Sequence, residues 1–188
     1  MLSILSPKNN FLLILSTGFG KTRCAIDLMD NRVQLGLPIL IVIPRLVLIE
    51  NWKKELIKFG FEDYIQYITF TTYNSLHKHI NKYWGYVVYD ECHHLSERCK
   101  EIVSCIESNL IIFLSATVKQ DLKHWIIDKY NPEIVEVNLR KAIDNDVLPE
   151  PKVYLIPLQL NNTFFIFFNK YTICPFNRCW YKIFFKEV

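Results

Sequence analysis

The sequence lacks several features that mark whole classes of protein. No uninterrupted apolar run approaches the ~18 residues of a membrane-spanning helix, although 51% of the 188 residues are hydrophobic. Its first ten residues hold no basic stretch followed by an apolar one, which argues against a secretory signal peptide. Six cysteines at irregular spacing make no disulfide framework. We therefore expect an intracellular protein without a membrane segment.

The sequence also lacks a net charge over most of its length. Residues 161–188 carry four of the 22 Lys and Arg residues and one of the 19 Asp and Glu residues, so residues 1–160 balance at 18 of each. The formal charge of +3 thus comes from the end of the chain. Overall charge therefore does not indicate a nucleic-acid-binding face on the main part of the protein.

Apolar segments alternate with helical patterns along the chain. We predict strands at 11–15, 38–43, 65–70, 85–89, 110–114 and 153–158, and helices at 21–34, 46–58, 74–82, 97–107 and 119–129. Near-continuous apolar strands separated by helices are typical of a parallel sheet covered on both faces. The predicted fold class is therefore α/β, with a mostly parallel sheet and ligands bound beyond the carboxyl ends of the strands.

A phosphate-binding loop is predicted directly after the first strand, with the sequence Ser16-Thr17-Gly18-Phe19-Gly20-Lys21-Thr22. Gly18 and Gly20 can adopt backbone angles closed to other residues, so successive N–H groups can surround phosphate oxygens. The N-terminus of the following helix adds partial positive charge. Lys21 would reach the β- and γ-phosphates of ATP, and the Thr22 hydroxyl would coordinate Mg²⁺. Leu15 stands where the general pattern has Gly, so a simple Gly-rich turn is the alternative.

Two later strands deliver polar residues to the same predicted edge. The strand at 85–89 is followed by Asp90, placed to hold Mg²⁺ through its water shell, and Glu91, placed to orient and deprotonate an attacking water. A lone Asp-Glu pair can also be an acidic turn, but its place after a phosphate loop favours the catalytic role. Ser115 and Thr117 end another strand, where they could bond the acidic motif and sense the γ-phosphate, or simply cap a helix.

In this order the three segments resemble motifs I, II and III of the superfamily 2 DExH-box helicases and translocases. The motifs are Thr17-Gly18-Phe19-Gly20-Lys21-Thr22, Asp90-Glu91-Cys92-His93 and Ser115-Ala116-Thr117. Leu15 fits this family, because its repair-type and phage branches often have Leu-Pro before the Thr; here Ser16 replaces Pro. The resemblance implies a RecA-like P-loop NTPase fold, ATP and Mg²⁺ as cofactors, a cytoplasmic or viral setting, catalytic roles for Glu91 and Lys21, and coupling through His93.

Two further segments resemble motifs Ia and Ib of that family. They are Ile43-Pro44-Arg45, followed by Trp52, and Thr69-Phe70-Thr71-Thr72-Tyr73. Both motifs contact the sugar–phosphate backbone in the family, so the resemblance implies that Pro44, Arg45, Thr71 and Thr72 contact DNA or RNA. The alternative is that Pro44 only ends a strand and that Tyr73 belongs to the core.

The resemblance covers residues 11–160, and we predict a helicase ATP-binding domain at 1–160. Motors of this family close the ATP cleft with a second RecA-like domain, whose arginines are worth about 10³–10⁵ in rate in related phosphoryl-transfer systems. The residues after 160 are too few for such a domain. The sequence thus predicts half a motor that binds ATP weakly and hydrolyses it negligibly alone, and that a second chain could complete. The alternative is a non-catalytic module that binds nucleic acid or a protein.

The predicted tail at 161–188 has an unusual composition. It contains ten aromatic residues and no Leu, Ala, Gly, Ser or Asp. Three interpretations fit this composition: an extension created by a disrupted reading frame, a pair of strands that caps a sheet edge, or an aromatic and basic surface for single strands or a partner.

Overall fold

The chain divides into two compact units. The computed structural model describes residues 10–34, 36–145, 147–149, 153–158, 174–176 and 179–185. Backbone contacts group the chain into Met1–Leu148 and Pro149–Val188. This division concerns backbone contacts only, so the predicted end of the helicase ATP-binding domain at residue 160 stays a prediction.

Strands and helices alternate through the first unit. Its strands are β1 (Phe11–Leu15), β2 (Ile39–Ile43), β3 (Ile68–Thr72), β4 (Tyr83–Tyr89), β5 (Glu107–Ser115) and β6 (Glu133–Val137). Its α-helices are α1 (Lys21–Gln34), α2 (Leu48–Lys58), α3 (Glu97–Ser104), α4 (Gln120–Tyr130) and α5 (Leu139–Asp144). Short 3₁₀ helices occupy Glu62–Tyr67, Tyr73–His79 and Cys92–His94.

All strands of the first unit belong to one parallel sheet. The six strands lie in the order β3-β2-β4-β5-β1-β6, and each neighbouring pair is parallel. Apolar, largely β-branched sequences such as Ile39–Ile43 are fully buried, as the central strands of such a sheet must be. The predicted α/β fold class is confirmed. Because all strands run the same way, their carboxyl ends meet at one edge, where the loops after β3, β2, β4, β5 and β1 follow one another.

Two apolar layers hold helices against the opposite faces of the sheet. Alternate residues of a strand point to opposite sides, so β1, β2, β4 and β5 contribute to both layers. The layer beneath α1 and α2 includes Phe11, Leu13, Ile26, Trp52 and Leu56. The layer beneath α3 and α4 includes Leu12, Tyr89, Val103, Leu122 and Ile126. The prediction of helices on both faces is therefore confirmed.

Several predicted boundaries differ from the structure. The helix predicted at 74–82 is a shorter 3₁₀ helix that spans Tyr73–His79, and β4 already begins at Tyr83. The three-residue repeat of a 3₁₀ helix places Tyr73 and Leu76 on one side, where both are buried. The strand predicted at 65–70 begins three residues later, because a 3₁₀ helix occupies Glu62–Tyr67. Neither β6 nor α5 was predicted.

The second unit contains a small antiparallel sheet. Its strands are β7 (Val153–Leu158), β8 (Cys174–Phe176) and β9 (Cys179–Phe185), in the order β7-β9-β8. The strand predicted at 153–158 is confirmed, and two strands lie within the aromatic-rich tail. Across the described ranges, no helix is long and apolar enough to cross a membrane.

Candidate functional site

The loop between β1 and α1 has the backbone of a phosphate cradle. Gly18 and Gly20 have φ angles of 84° and 93°, a left-handed conformation that side chains disfavour. A Cβ atom on Gly18 would also lie 3.3 Å from the side chain of Leu148. The Phe19 N–H donates to the Ser16 carbonyl over 3.1 Å and closes the turn. The loop is thus tightly curved, and both glycines are required by its geometry.

Lys21 lies across this loop. Its ammonium donates to the carbonyl of Leu15, the last residue of β1, over 3.2 Å. The ammonium also opposes, through its charge, the rise in the pKa of Asp90 that burial causes. Among the described residues it forms no ion pair with a carboxylate. The positive charge is therefore available to an anionic ligand.

Hydrogen bonds from three different elements fix Asp90 at the end of β4. The Trp52 indole N–H donates to carboxylate Oδ2 over 2.9 Å. The Tyr73 hydroxyl donates to the main-chain carbonyl of Asp90 over 2.8 Å, and the Asp90 N–H donates to Val42 over 2.9 Å. Burial raises the pKa of Asp90, while the bond from Trp52 and the charge of Lys21 oppose that rise.

Glu91 follows in a strained backbone conformation. Its φ and ψ of 51° and 53° are left-handed, and among the described residues other than glycine only Asn131 also has a positive φ. This conformation costs a non-glycine residue about 1–2 kcal/mol. Such strain is frequently found where a side chain must take a particular direction at a functional site. Here it brings the Glu91 carboxylate to 3.2 Å from His93 Nδ1.

His93 joins the acidic motif to the end of β5. Its Nδ1 lies 2.9 Å from the hydroxyl oxygen of Ser115. That hydroxyl donates its own proton to the Thr117 carbonyl over 2.7 Å, so it accepts from the imidazole. The pattern assigns a proton to Nδ1, which Ser115 and the Glu91 carboxylate share. The three predicted coupling residues, His93, Ser115 and Thr117, are thus brought together with Glu91.

The segments proposed to contact nucleic acid lie side by side. Strands β2 and β3 pair in register up to Ile43 and Thr72, so the residues that follow them meet at the same edge. Arg45 is exposed and Pro44 and Thr72 are half-buried, but Thr71 is only 4% exposed. The Thr71 side chain thus belongs to the interior.

The sequence did not identify every contact around the site. The bonds from Trp52 and Tyr73 to Asp90 were missed, although a buried indole N–H or phenol normally requires a partner. A shallow cleft of about 530 Å³ beside the loop was missed as well. Its wall includes Ser16, Thr17, Thr117, Glu136 and Asn138. Glu136 and Asn138 come from β6 and the start of α5, which the sequence did not predict.

Comparison with known proteins identifies the family. The family model described as the res subunit of type III restriction enzymes matches residues 2–120, more than half of the chain. The DNA 3'-5' translocase XPB2 of Sulfurisphaera tokodaii is 29% identical over 123 residues. That match covers 58% of this chain and 27% of the relative, so the chain spans only about a quarter of that protein.

Solved structures show the same fold. The SWI2/SNF2 ATPase core of Sulfolobus solfataricus, solved with double-stranded DNA, matches 74% of this chain and 42% of that one, with a TM-score of 0.56 and 20% identity. The Hef helicase domain of Pyrococcus furiosus matches 75% of this chain and 36% of that one, with a TM-score of 0.58 and 15% identity. The chain belongs to the family of the type III restriction enzyme res subunit, and it has the fold of the first RecA-like motor domain of superfamily 2 helicases.

Proposed function

We propose that this chain binds ATP and Mg²⁺ at the carboxyl edge of its parallel sheet and acts as the ATP-binding half of a helicase or translocase motor. The observation that carries the proposal is the cluster at that edge. It contains a glycine-built loop, a lysine that forms no ion pair among the described residues, two carboxylates and a histidine bridge to β5. Phosphoryl transfer depends chiefly on positioning and on neutralising charge, which these groups supply.

The loop residues fit the phosphates of ATP. Thr17, Gly18, Phe19 and Gly20 precede the first turn of α1, where free N–H groups and the helix dipole favour an anion. Gly18 carries no side chain there, and one would have a disfavoured backbone conformation and lie 3.3 Å from Leu148. Lys21 would exchange its carbonyl partner for phosphate oxygens, a stronger charge-assisted bond.

Thr22 and Asp90 supply the oxygen atoms that suit Mg²⁺. A hydroxyl and a carboxylate are hard ligands, which Mg²⁺ prefers together with water and phosphate oxygens. When bound, Mg²⁺ would neutralise charge on the β- and γ-phosphates. The bond from Trp52 to Oδ2 orients this carboxylate, which would then accept a hydrogen bond from a water on the metal.

Glu91 is proposed as the group that orients a water molecule and accepts its proton. Its carboxylate shares the Nδ1 proton of His93, so its direction depends on that imidazole. Because His93 also bonds Ser115, a change at the end of β5 would reach Glu91 through two hydrogen bonds. This is the route by which Ser115 and Thr117 are proposed to couple nucleotide state to the rest of a motor.

Nucleic acid is the proposed partner of the residues that follow β2 and β3 at the same edge of the sheet. Arg45 offers an exposed positive charge after β2, and Pro44 and Thr72 lie beside it at the strand ends. A contact from the buried Thr71 would pass through its main chain, since its side chain faces inward. The similarity to a DNA translocase favours DNA, read through backbone phosphates without sequence preference.

The 188 residues hold one RecA-like domain, so we propose that a second domain, on another chain or a longer form of this one, completes the ATP cleft. ATP hydrolysis by the 188-residue protein alone should then be very slow, because the arginines that stabilise the transition state would come from that second domain. A robust rate from the purified 188-residue protein would contradict this part of the proposal.

Measuring ATP hydrolysis with and without DNA or RNA tests the function. We expect a low rate that rises when nucleic acid is added and that is lost in Lys21→Ala and Glu91→Gln. Lys129→Ala and Glu62→Gln, which change exposed side chains away from the edge, are matched controls. Nucleic-acid binding that survives both site changes, without any stimulated hydrolysis, would instead support the non-catalytic module.

A further inference from the structure

Trp52 and Tyr73 connect the proposed nucleic-acid segments directly to the proposed metal-holding residue. Both side chains are buried, at 2% and 5% exposure, and both donate a hydrogen bond to Asp90. One bond reaches the carboxylate and the other reaches the main-chain carbonyl. Asp90 is therefore held at two points by residues that lie outside its own strand.

Each of these donors lies next to one of the two protein segments proposed to contact nucleic acid. The Arg45 carbonyl accepts the Leu48 N–H over 3.0 Å, so the residue that would contact a phosphate also caps the helix that carries Trp52. Trp52 lies in the second turn of that helix. On the other side, Tyr73 immediately follows Thr72, the last residue of β3, and begins a 3₁₀ helix.

The order of the strands explains why these bonds are possible. Strand β2 lies between β3 and β4, so the segments after β2 and β3 are neighbours of the acidic motif. The loop that holds phosphate lies on the far side of β5. A displacement of Arg45 or Thr72 on binding a phosphate backbone would thus reach Asp90 before it could reach the loop.

We propose that Trp52 and Tyr73 are positioning residues that couple nucleic-acid binding to Mg²⁺ affinity. By bonding Oδ2, the indole orients the Asp90 carboxylate for the metal site. The Tyr73 bond fixes the backbone from which that carboxylate extends. The coupling is reciprocal, so Mg²⁺ with a nucleotide should change nucleic-acid affinity by the same factor. This inference rests on the proposed ATP and nucleic-acid sites.

The test measures equilibrium binding of a fluorescent, non-hydrolysable ATP analogue as Mg²⁺ is increased, with and without a DNA duplex. The wild-type protein should bind more of the analogue as Mg²⁺ rises. DNA should change the Mg²⁺ concentration that gives half-maximal binding, which is the midpoint compared below. Trp52→Phe keeps the packing but removes the donor, and the midpoint should rise about 10-fold, as is typical when an outer-shell partner of a metal ligand is lost. Tyr73→Phe should reduce the shift caused by DNA.

Two controls remove equivalent hydrogen bonds elsewhere. Trp84→Phe removes a buried indole donor to the His79 carbonyl, and Tyr130→Phe removes a phenol donor to the Val103 carbonyl. Both controls should leave the midpoint and the DNA shift unchanged. Tyr73→Phe deletes a single hydroxyl, so it also provides a test should Trp52→Phe fail to fold.

The outcomes separate this inference from the proposed function. Wild-type protein that shows no Mg²⁺-dependent nucleotide binding would overturn the proposed function itself. Normal wild-type binding with an unchanged midpoint and DNA shift in the Trp52 and Tyr73 variants would overturn only the coupling. Equal changes in the Trp84 control would show a general loss of structure, which also contradicts the coupling.

Discussion

At the scale of single residues, one strained backbone and one buried hydroxyl without a partner among the described residues lie at the acidic motif. Glu91 has a left-handed backbone. Tyr89, two residues earlier, has a buried hydroxyl without a hydrogen-bond partner among the described residues. Such costs are tolerated where a site fixes the direction of a side chain. They predict that some changes here raise stability, even where they remove the proposed activity.

The backbone strain at Glu91 can be measured by comparing two truncated side chains. Glu91→Gly and Glu91→Ala both remove the carboxylate, but only Gly relieves the left-handed conformation. We expect the free energy of unfolding of the Gly variant to exceed that of the Ala variant by about 1 kcal/mol. Denaturant titration gives both values, and an Ala variant at least as stable as the Gly variant would contradict a strained Glu91.

The buried hydroxyl of Tyr89 leads to a second prediction about a single residue. Burial raises the pKa of Tyr89 well above its ordinary range, so the phenol stays neutral. Because that hydroxyl is desolvated and has no partner among the described residues, Tyr89→Phe should leave the free energy of unfolding unchanged or raise it. Tyr86→Phe, which removes a bond to the Ala25 carbonyl, should lower it by about 1 kcal/mol. A comparable loss in Tyr89→Phe would show that its hydroxyl has a partner.

At the scale of elements, the helix between β3 and β4 is a 3₁₀ helix, Tyr73–His79, that is shorter than the sequence predicted. Its inner side holds Tyr73 and Leu76, while its end brings His79 against the edge of the Trp84 ring, with centroids 5.8 Å apart. Burial lowers the pKa of His79, and the nearby charges of Lys82 and Lys78 lower it further. The element therefore favours a neutral imidazole.

This lowered pKa predicts acid sensitivity of the fold. The unfolded chain takes up a proton at His79 below about pH 6.5, whereas the folded chain resists it, so stability falls as the pH drops through that range. His79→Phe should lose this contribution. Free energies of unfolding between pH 7.5 and 5 should therefore decline less steeply in the variant, and parallel curves would contradict a destabilised imidazolium.

The elements also show what the sequence could predict. β1, the phosphate loop and α1 were predicted with the correct bounds, because a buried apolar strand, positive-φ glycines and an amphipathic helix each leave a local signal. The edge strand β6 was missed because Ile134 and Val135 are partly exposed and its glutamates interrupt the apolar pattern. α5 is only six residues long and leaves little periodicity.

At the scale of the whole molecule, the parallel sheet explains how distant motifs form one site. The sequence predicted which residues follow strands, and hence that they share an edge. It could not predict that β2 lies beside β4, and that order is what allows Trp52 to reach Asp90. Contacts between segments far apart in the chain leave no local pattern in the sequence. The hydrogen bonds that hold Asp90 in place were therefore visible only in the structure.

The most direct test of ATP binding at the sheet edge is the affinity of the 188-residue protein for an ATP analogue in the presence of Mg²⁺. Loss of the Lys21 charge removes charge-assisted bonds worth about 1.5–3 kcal/mol, so Lys21→Ala should bind roughly 10- to 100-fold more weakly than wild type. Lys129→Ala, an exposed control, should bind as wild type does. Equal affinities of the wild-type and Lys21→Ala proteins would contradict the claim that this sheet edge holds ATP.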